Sequence, residues 1–306
     1  MGIIVCSAPI IHVIIKDSPY ISFFIIAMAG LQAWVHKPDR ESVIVSTLGL
    51  IGVGVFRYDG QAIVIVVSCA LALLFFSTKK HARHILFMCA LPIAAIFSAH
   101  YVLPCLVNAK SEMVGTKLAM PAEIICEIIV RNGNVTEEEK EKAQNLIMPI
   151  ELMKKHHSLA KSYEGQKYIW NGFFETEEEF RRYSFAFNLS GKEKQIIPLF
   201  LNLAIKNPAI TANHLIQQSR MILDLHGSYR YPCSLSFYIC IFALIIMLKH
   251  KVRADQYIPF VPVFACSLTC MFIATTFEWR YGIPVIAGAI LLFGHMNAAT
   301  KKGTPS

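Results

Sequence analysis

The apolar residues of this chain are gathered into eight runs, which short polar stretches separate. A bilayer core about 30 Å thick is crossed by roughly 20 apolar residues of helix, and fewer suffice for a short or half-buried helix. The pattern therefore predicts an all-α, polytopic membrane protein with about eight transmembrane helices. The predicted helices lie at residues 2–15, 20–35, 42–56, 61–77, 85–106, 232–248, 257–276 and 281–297.

A long polar segment between the fifth and sixth runs interrupts this pattern. It divides the chain into N-terminal membrane helices at 1–106, a mainly helical insertion at 107–231, and C-terminal membrane helices at 232–306. Within the insertion, residues 195–223 have the pattern of two amphipathic helices divided near Pro208. Such helices can lie on a bilayer surface, and one of these two is a candidate for that role.

Two further helices are predicted at the start of the insertion. Residues 116–134 place isoleucines at helical spacing, with Glu123, Glu127 and Arg131 on the opposite, polar face. The next helix begins at Thr136 and has Glu139 three residues later, which is the pattern of a capping box. Its acidic first turn is explained by the helix dipole, so it is interpreted as a capped surface helix and not as a catalytic cluster.

Charge gives these helices an orientation. The net charge is +8, and four polar stretches, at 36–41, 78–84, 249–255 and 301–302, hold ten of the 29 basic residues. Alternating helices put all four stretches on one side, and an excess of Lys and Arg marks the cytoplasmic side. Segment 107–231 is then extracytoplasmic. The surplus positive charge is explained by orientation, so no nucleic-acid partner is predicted.

Three short polar turns are predicted on the extracytoplasmic edge. They comprise Lys16 to Tyr20, Arg57 to Gly60, and Glu278 to Tyr281. Ionisable side chains at membrane depth are costly, so their presence calls for a reason. One explanation is structural, because interfacial aromatic and basic residues anchor helix ends and an Arg–Asp pair can staple a turn. The alternative is that the three turns converge on a cleft at the membrane surface.

The convergent arrangement would suit chemistry on a lipid-linked phosphate. The forks of Arg57 and Arg280 match phosphate oxygens. A carboxylate could act as general base on an acceptor hydroxyl, with Asp17 as the first candidate and Asp59 and Glu278 behind it. A carboxylate could instead hold a divalent cation. No residues are predicted to form a dedicated metal site, and the phosphate-binding loop of ATPases and the usual serine and zinc hydrolase motifs do not occur.

The order of four short motifs resembles the GT-C class of bacterial membrane glycosyltransferases, near the O-antigen glucosyltransferase-like families. These motifs are "KDSPY", "LIGVGVFRYDGQAIVIV", "MPAEIICEIIVRNGNVTEEEKEKAQ" and "EWRYGIPVI". The resemblance implies transfer of a sugar from a polyprenyl-phosphate carrier to an extracytoplasmic glycan or lipid acceptor. It implies carrier-phosphate contacts at Arg57 and Arg280, and we add their neighbours Tyr58 and Tyr281 to the predicted substrate-binding set.

One loop that is typical of this class is missing from the chain. Asp17 with Pro19 corresponds to the second outer loop of that class, whereas the first outer loop, with the principal catalytic acid, has no counterpart here. The chain is therefore expected to be a C-terminal fragment, a shortened product or an inactive relative. A transporter or flippase, and a non-catalytic membrane scaffold, are the competing functions. A polymerase or ligase is a further alternative within glycan chemistry.

Overall fold

The computed structural model describes residues 2–79, 81–106, 118–160, 182–183, 188–189, 191–223, 231–272 and 279–302. Each secondary-structure element that it defines in these residues is a helix, which confirms the predicted all-α fold. The α-helices in chain order are α1 (Gly2–His36), α2 (Arg40–Phe56), α3 (Tyr58–Thr78), α4 (Ala82–Phe97), α5 (Leu103–Leu106), α6 (Ala119–Val130), α7 (Glu137–Leu146), α8 (Ile150–Ala160), α9 (Glu193–Lys206), α10 (Pro208–Leu223), α11 (Tyr231–Lys249), α12 (Phe260–Phe272) and α13 (Trp279–Lys302). A π turn (Ser98–Val102) joins α4 to α5, and a 3-10 turn (Ala254–Tyr257) precedes α12.

The chain folds into two compact units. The first, here the membrane unit, comprises Met1–Asn108, Met221–Ile273 and Phe277–Ser306. The second, here the insert unit, comprises Ala109–Arg220 with Ala274–Thr276. Each unit has its own hydrophobic core.

Three helical segments in the membrane unit are long and apolar enough to cross a membrane. They are Ser18–His36 in α1, Asp59–Thr78 in α3, and Ala82–Val102 in α4 with the π turn. Two shorter apolar segments are Leu235–Lys249 in α11 and Ile283–Met296 in α13. Within the described residues, the architecture is thus all-helical with three helices of membrane-spanning length.

The surface of the membrane unit is apolar where a soluble protein would be polar. Leu73, Phe76 and Ile290 are 70%, 73% and 71% exposed. Its interior, in contrast, contains small hydroxyl residues such as Ser46 and Ser267, whose Oγ atoms donate to the carbonyl oxygens four residues earlier. Large apolar residues on the outside, with small hydroxyl residues among the large apolar ones inside, are an arrangement that suits a lipid environment.

The first two predicted helices form one helix, so the prediction of a turn between them was wrong. Helix α1 is continuous over 35 residues from Gly2 to His36, and includes Lys16, Asp17 and Pro19. A lone proline removes one backbone hydrogen bond but does not by itself reverse the chain. At 1.5 Å per residue the helix is about 52 Å long, which exceeds the thickness of a bilayer core.

Helices α1 and α2 touch through their backbones. A β-carbon added to Gly30 would lie 2.4 Å from the backbone nitrogen of Ser46. One added to Gly49 would lie 2.3 Å from the backbone nitrogen of Ala27. Small residues on both sides of the contact allow this close approach, as in other membrane helix pairs. The contact aligns α1 with α2 and so positions the turn between α2 and α3.

The insert unit is built around α6. Its isoleucines Ile124, Ile125 and Ile128 are at most 1% exposed and pack into the core of this unit. The predicted capping box at α7 is confirmed, since Glu139 N donates to Thr136 Oγ1 and Thr136 N donates to a Glu139 carboxylate oxygen.

Polar contacts join the α7 region to the α9 region. They involve Glu139 in α7, Asn134 before α7, and Asn207, which follows α9. The other carboxylate oxygen of Glu139 accepts from Lys206 Nζ at 2.6 Å and from Asn202 Nδ2 at 2.5 Å. Asn207 Oδ1 accepts from the backbone N–H of Asn134 at 2.6 Å, and its Nδ2 donates to the carbonyl oxygen of Asn134. These bonds hold α9 in the insert unit along one side of the helix and leave the opposite side of α9 exposed.

Candidate functional site

The turn between α2 and α3 places a partly buried ion pair at the end of a membrane-spanning helix. Arg57 has an extended backbone, which ends α2 and allows α3 to start at the next residue. Its side chain is only 8% exposed, and its Nε donates to Asp59 Oδ1 at 2.8 Å. Asp59 lies in the first turn of α3, where the helix dipole favours a negative charge. Two of the residues predicted for the site are thus brought together.

Helix α1 contributes an aromatic ring to this pair. The guanidinium carbon of Arg57 lies 5.0 Å from the ring centroid of Tyr20, which is 1% exposed. A guanidinium at this distance from an aromatic ring is attracted to its π electrons, and the attraction is stronger away from water. Tyr20 ends the "KDSPY" motif, so two of the three predicted polar clusters meet. Tyr20, Arg57 and Asp59 are called the turn site below.

The backbone around the turn site leaves no room for larger residues. A β-carbon on Gly60 would lie 1.9 Å from the carbonyl oxygen of Val53 and 3.2 Å from Cε2 of Tyr20. The π turn also contributes, since His100 Nε2 lies 3.3 Å from the carbonyl oxygen of Gly54 in α2. π-helical turns are frequent at functional positions. Helices α1, α2 and α3 therefore pack closely at the turn site, and the π turn contacts α2 beside it.

The contacts of α1 with α13 relate the position of Arg280 to that of Asp17 and the turn site. The Cε1 atom of Phe24 lies 3.5 Å from the position of a β-carbon added to Gly288, and the rings of His36 and His295 are 5.1 Å apart. The two contacts occur in the same order along α1 and α13, so these helices run side by side in the same direction.

The register follows from these contacts. Arg280 precedes Gly288 by eight residues, or about 12 Å of helix. Eight residues before Phe24 is position 16, whereas counting back 15 residues from the contact of His295 with His36 gives position 21. Arg280 therefore lies beside the stretch of α1 that contains Asp17 and Tyr20. The side chains of Asp17, Tyr58, Arg280 and Tyr281 lie outside what the structure describes, as does Glu278 altogether.

The turn site offers a positive group in an apolar, partly dry setting. A guanidinium held by a carboxylate and an aromatic ring has little freedom to move, so it is oriented before any ligand arrives. Such pre-orientation is what phosphate recognition by arginine benefits from. The bond between Asp59 and Arg57 also assigns Asp59 a positioning role.

No known family model, curated protein or solved structure matches this chain. Its function is therefore argued from the geometry of its own residues.

The insert unit contains a second group of charges, which the sequence analysis missed. Glu127 of α6 is 8% exposed and lies at its centre. Its Oε1 lies 2.6 Å from Arg131 Nη2, and its Oε2 lies 3.3 Å from the Nδ1 atoms of His157 and His214. Burial alone would raise the pKa of Glu127, but the hydrogen bond from His214, with the charges of His214, His157 and Arg131, holds it below its ordinary value.

Glu123 lies one turn before Glu127 and has the opposite behaviour. Its Oε2 is 3.8 Å from His214 Nε2. Burial, with a further contribution from the negative charge of Glu127, raises the pKa of Glu123 to about 8. At neutral pH the first carboxyl is therefore protonated and the second is ionised. We call Glu123, Glu127, Arg131, His157 and His214 the buried ion cluster.

The buried ion cluster does not have the geometry of a metal centre. Among the residues that the structure describes, no group of three or more His, Cys, Asp or Glu could hold a metal ion. The predicted polar face of α6 is instead covered by α8 and α10, through His157 and His214. The available signal was two acids one turn apart on an apolar helix, together with histidines on later helices.

Proposed function

We propose that the chain is a membrane glycosyltransferase of the GT-C type, or a relative of one. It would move a sugar from a polyprenyl-phosphate carrier to an extracytoplasmic glycan or lipid acceptor. The proposal places the transmembrane helices in a bacterial cytoplasmic membrane, with residues 107–231 outside. The observation that supports it is the turn site, where buried Arg57 is bound by Asp59 and Tyr20.

Each residue of the proposed site has a role that follows from its chemistry. Arg57 and Arg280 would hold the carrier phosphate, and Tyr58 and Tyr281 would complete that pocket. Asp17 would accept the proton of the acceptor hydroxyl as general base.

The two remaining acids take second place in the proposal. Asp59 would orient Arg57, in keeping with their 2.8 Å bond, and serves as a reserve candidate for catalysis. Glu278 is the other reserve candidate. A carboxylate of the site could hold a divalent cation through its oxygens.

A transporter is less consistent with the positions of the charges. Transporters place ionisable groups near the middle of the bilayer, on interrupted helices. Arg57 lies between two helices and Asp59 in the first turn of α3, which is the end of a span. Among the residues of the three spans whose side chains the structure describes, Asp59 is the one acidic residue. It forms an ion pair with Arg57, which precedes the span.

A non-catalytic scaffold is the second candidate function. It is favoured by the fact that Arg57, Asp59 and Tyr20 bind one another across α1 and the α2–α3 turn. In this reading the turn site only stabilises the membrane unit, and the insert unit binds a partner.

An exchange assay with matched variants separates these two functions. The chain offers a control, because Arg253 and Asp255 form the same Arg-x-Asp pair on an exposed turn, with an Nη2–Oδ2 distance of 2.7 Å. Purified full chain in vesicles is given a radiolabelled polyprenyl-phosphate sugar, and transfer to glycan or lipid acceptors is measured. We expect Arg57→Lys to lower transfer about a hundredfold, which is typical of lost charge stabilisation. Asp17→Asn, which removes the general base, should lower it by at least about a hundredfold, and Arg253→Lys should leave it unchanged.

Two outcomes would contradict the proposal. Transfer that survives in both Asp17→Asn and Arg280→Ala removes the site assignment. A topology reporter placed after Lys140 that reports the cytoplasm removes the orientation, and with it the extracytoplasmic acceptor.

A further inference from the structure

Helix α9 has one buried face and one exposed apolar face. Ile196, Leu199 and Leu203 are at most 4% exposed and belong to the core of the insert unit. On the other side, three apolar residues at intervals of four are strongly exposed. They are Ile197 at 43%, Leu201 at 51% and Ile205 at 79%.

These three residues form one continuous stripe, because positions four apart lie above one another on a helix. We call Ile197, Leu201 and Ile205 the apolar stripe. In the described part of the insert unit, one other large apolar residue, Ile216 of α10, is exposed to this degree. Most of the exposed apolar surface of the described insert unit is therefore on α9. A concentrated apolar patch of this kind is typical of an interaction surface.

Two chain connections tether the insert unit to the membrane unit and so limit its distance from the bilayer. Helix α5 ends at Leu106 and α6 begins at Ala119, while α10 ends at Leu223 and α11 begins at Tyr231. An extended chain reaches at most about 3.6 Å per residue, so these connections span no more than about 47 Å and 29 Å. Both lead to the membrane unit, so the insert unit stays tethered to the bilayer, which raises the effective concentration of lipid for any surface of this unit that binds it.

Charges of both signs lie at the start of the stripe, since Glu193 precedes Ile197 by four residues, in line with the stripe, and Lys194 lies beside it. Lys194 is exposed and lies three residues before Ile197, on the same side of the helix. A narrow apolar stripe with lysine at its edge is typical of helices that lie in the membrane interface. Lysine near an anionic leaflet is also attracted to it electrostatically.

We propose that the apolar stripe of α9 docks on the surface of the membrane that the same chain spans, with Lys194 among anionic headgroups. Docking would restrict the insert unit to one orientation against the bilayer. The proposal does not depend on glycosyl transfer, because it concerns only α9 and lipid.

Photo-crosslinking in the full chain tests this docking. The photoreactive residue benzoylphenylalanine replaces Leu201 or Ile205, and Gln195 serves as the matched control, since it is exposed on another side of the same helix. Each variant is reconstituted in vesicles of phosphatidylethanolamine and phosphatidylglycerol, and mass spectrometry identifies the adducts. We expect lipid adducts at positions 201 and 205 in at least about fivefold excess over position 195.

A second arm tests the charge. Lys194→Gln should lower the lipid adduct at position 205 about fivefold in vesicles with phosphatidylglycerol, and should have no effect in vesicles of phosphatidylcholine alone. Equal lipid adducts at the three positions would show that α9 has no preferred lipid face. Adducts to peptides of a second copy, or to another part of the same chain, would show that protein covers the stripe. Each of these results overturns the proposal.

Discussion

Glu123 is expected to make the insert unit less stable as the pH rises. Burial raises the pKa of this carboxyl from 4.5 to about 8 in the folded protein. Between these values the unfolded chain has lost the proton while the folded chain retains it. The folded state then binds more protons than the unfolded state, so its free energy of unfolding falls with increasing pH. Below pH 4.5 both states are protonated and the effect is absent.

The size of the effect follows from the shift. One pKa unit corresponds to about 1.4 kcal/mol, so a shift of this size lowers the free energy of unfolding on the order of 4 kcal/mol at pH 8. Glu123→Gln keeps the shape of the protonated carboxyl but cannot ionise. The variant should therefore match the wild type near pH 4.5 and gain stability over it steadily up to pH 8.

Hydrogen–deuterium exchange of α6 measures this difference in the full chain. Protection of peptides within Ala119–Val130 is recorded in nanodiscs at several pH values and corrected for intrinsic exchange. Glu141→Gln, on the exposed face of α7, is the control and should follow the wild type at every pH. A gain for Glu123→Gln that is constant with pH, or that shrinks as the pH rises, would refute the assignment of a raised pKa.

Three other substitutions test the structure at separate points. Glu127→Gln leaves Arg131 without its buried carboxylate and should destabilise the insert unit by about 3 kcal/mol, measured by the same exchange experiment. Gly60→Ala places a carbon 1.9 Å from a backbone oxygen and should abolish recovery of folded protein from detergent, whereas Gly294→Ala, with open space around it, should be recovered normally. Thr136→Ala removes the α7 cap and should cost about 1 kcal/mol of local stability.

The general architecture could be predicted because it depends on local patterns. Apolar runs predict helices, and the Thr136–Glu139 spacing predicts a capping box, which the structure confirms. The turn at residues 16–19 could not be predicted correctly, because a polar stretch with one proline is compatible with both a turn and a continuous helix. Only packing over the whole length of α1 decides between these two.

The local part of the candidate site could also be predicted from the sequence, whereas its long-range contacts could not. The bond between Arg57 and Asp59 joins residues two apart, so the sequence alone suggested that the pair could staple the turn. Contact of Arg57 with Tyr20, in contrast, depends on how α1 packs against α2. The buried ion cluster was missed because Glu127 meets His157 and His214 across 30 and more positions of the chain, and such long-range pairs leave no periodic signal.

The central proposal is that Asp17 and Arg280 lie close to each other, at the level of Arg57 in the membrane unit. Electron paramagnetic resonance with nitroxides on unnatural residues at positions 17 and 280 measures it directly. The account predicts a separation below about 20 Å, whereas labels at positions 36 and 280 should be about 30 Å apart, since 19 residues of helix separate 17 from 36. Labels at 17 and 280 that are as far apart as those at 36 and 280 would contradict the account.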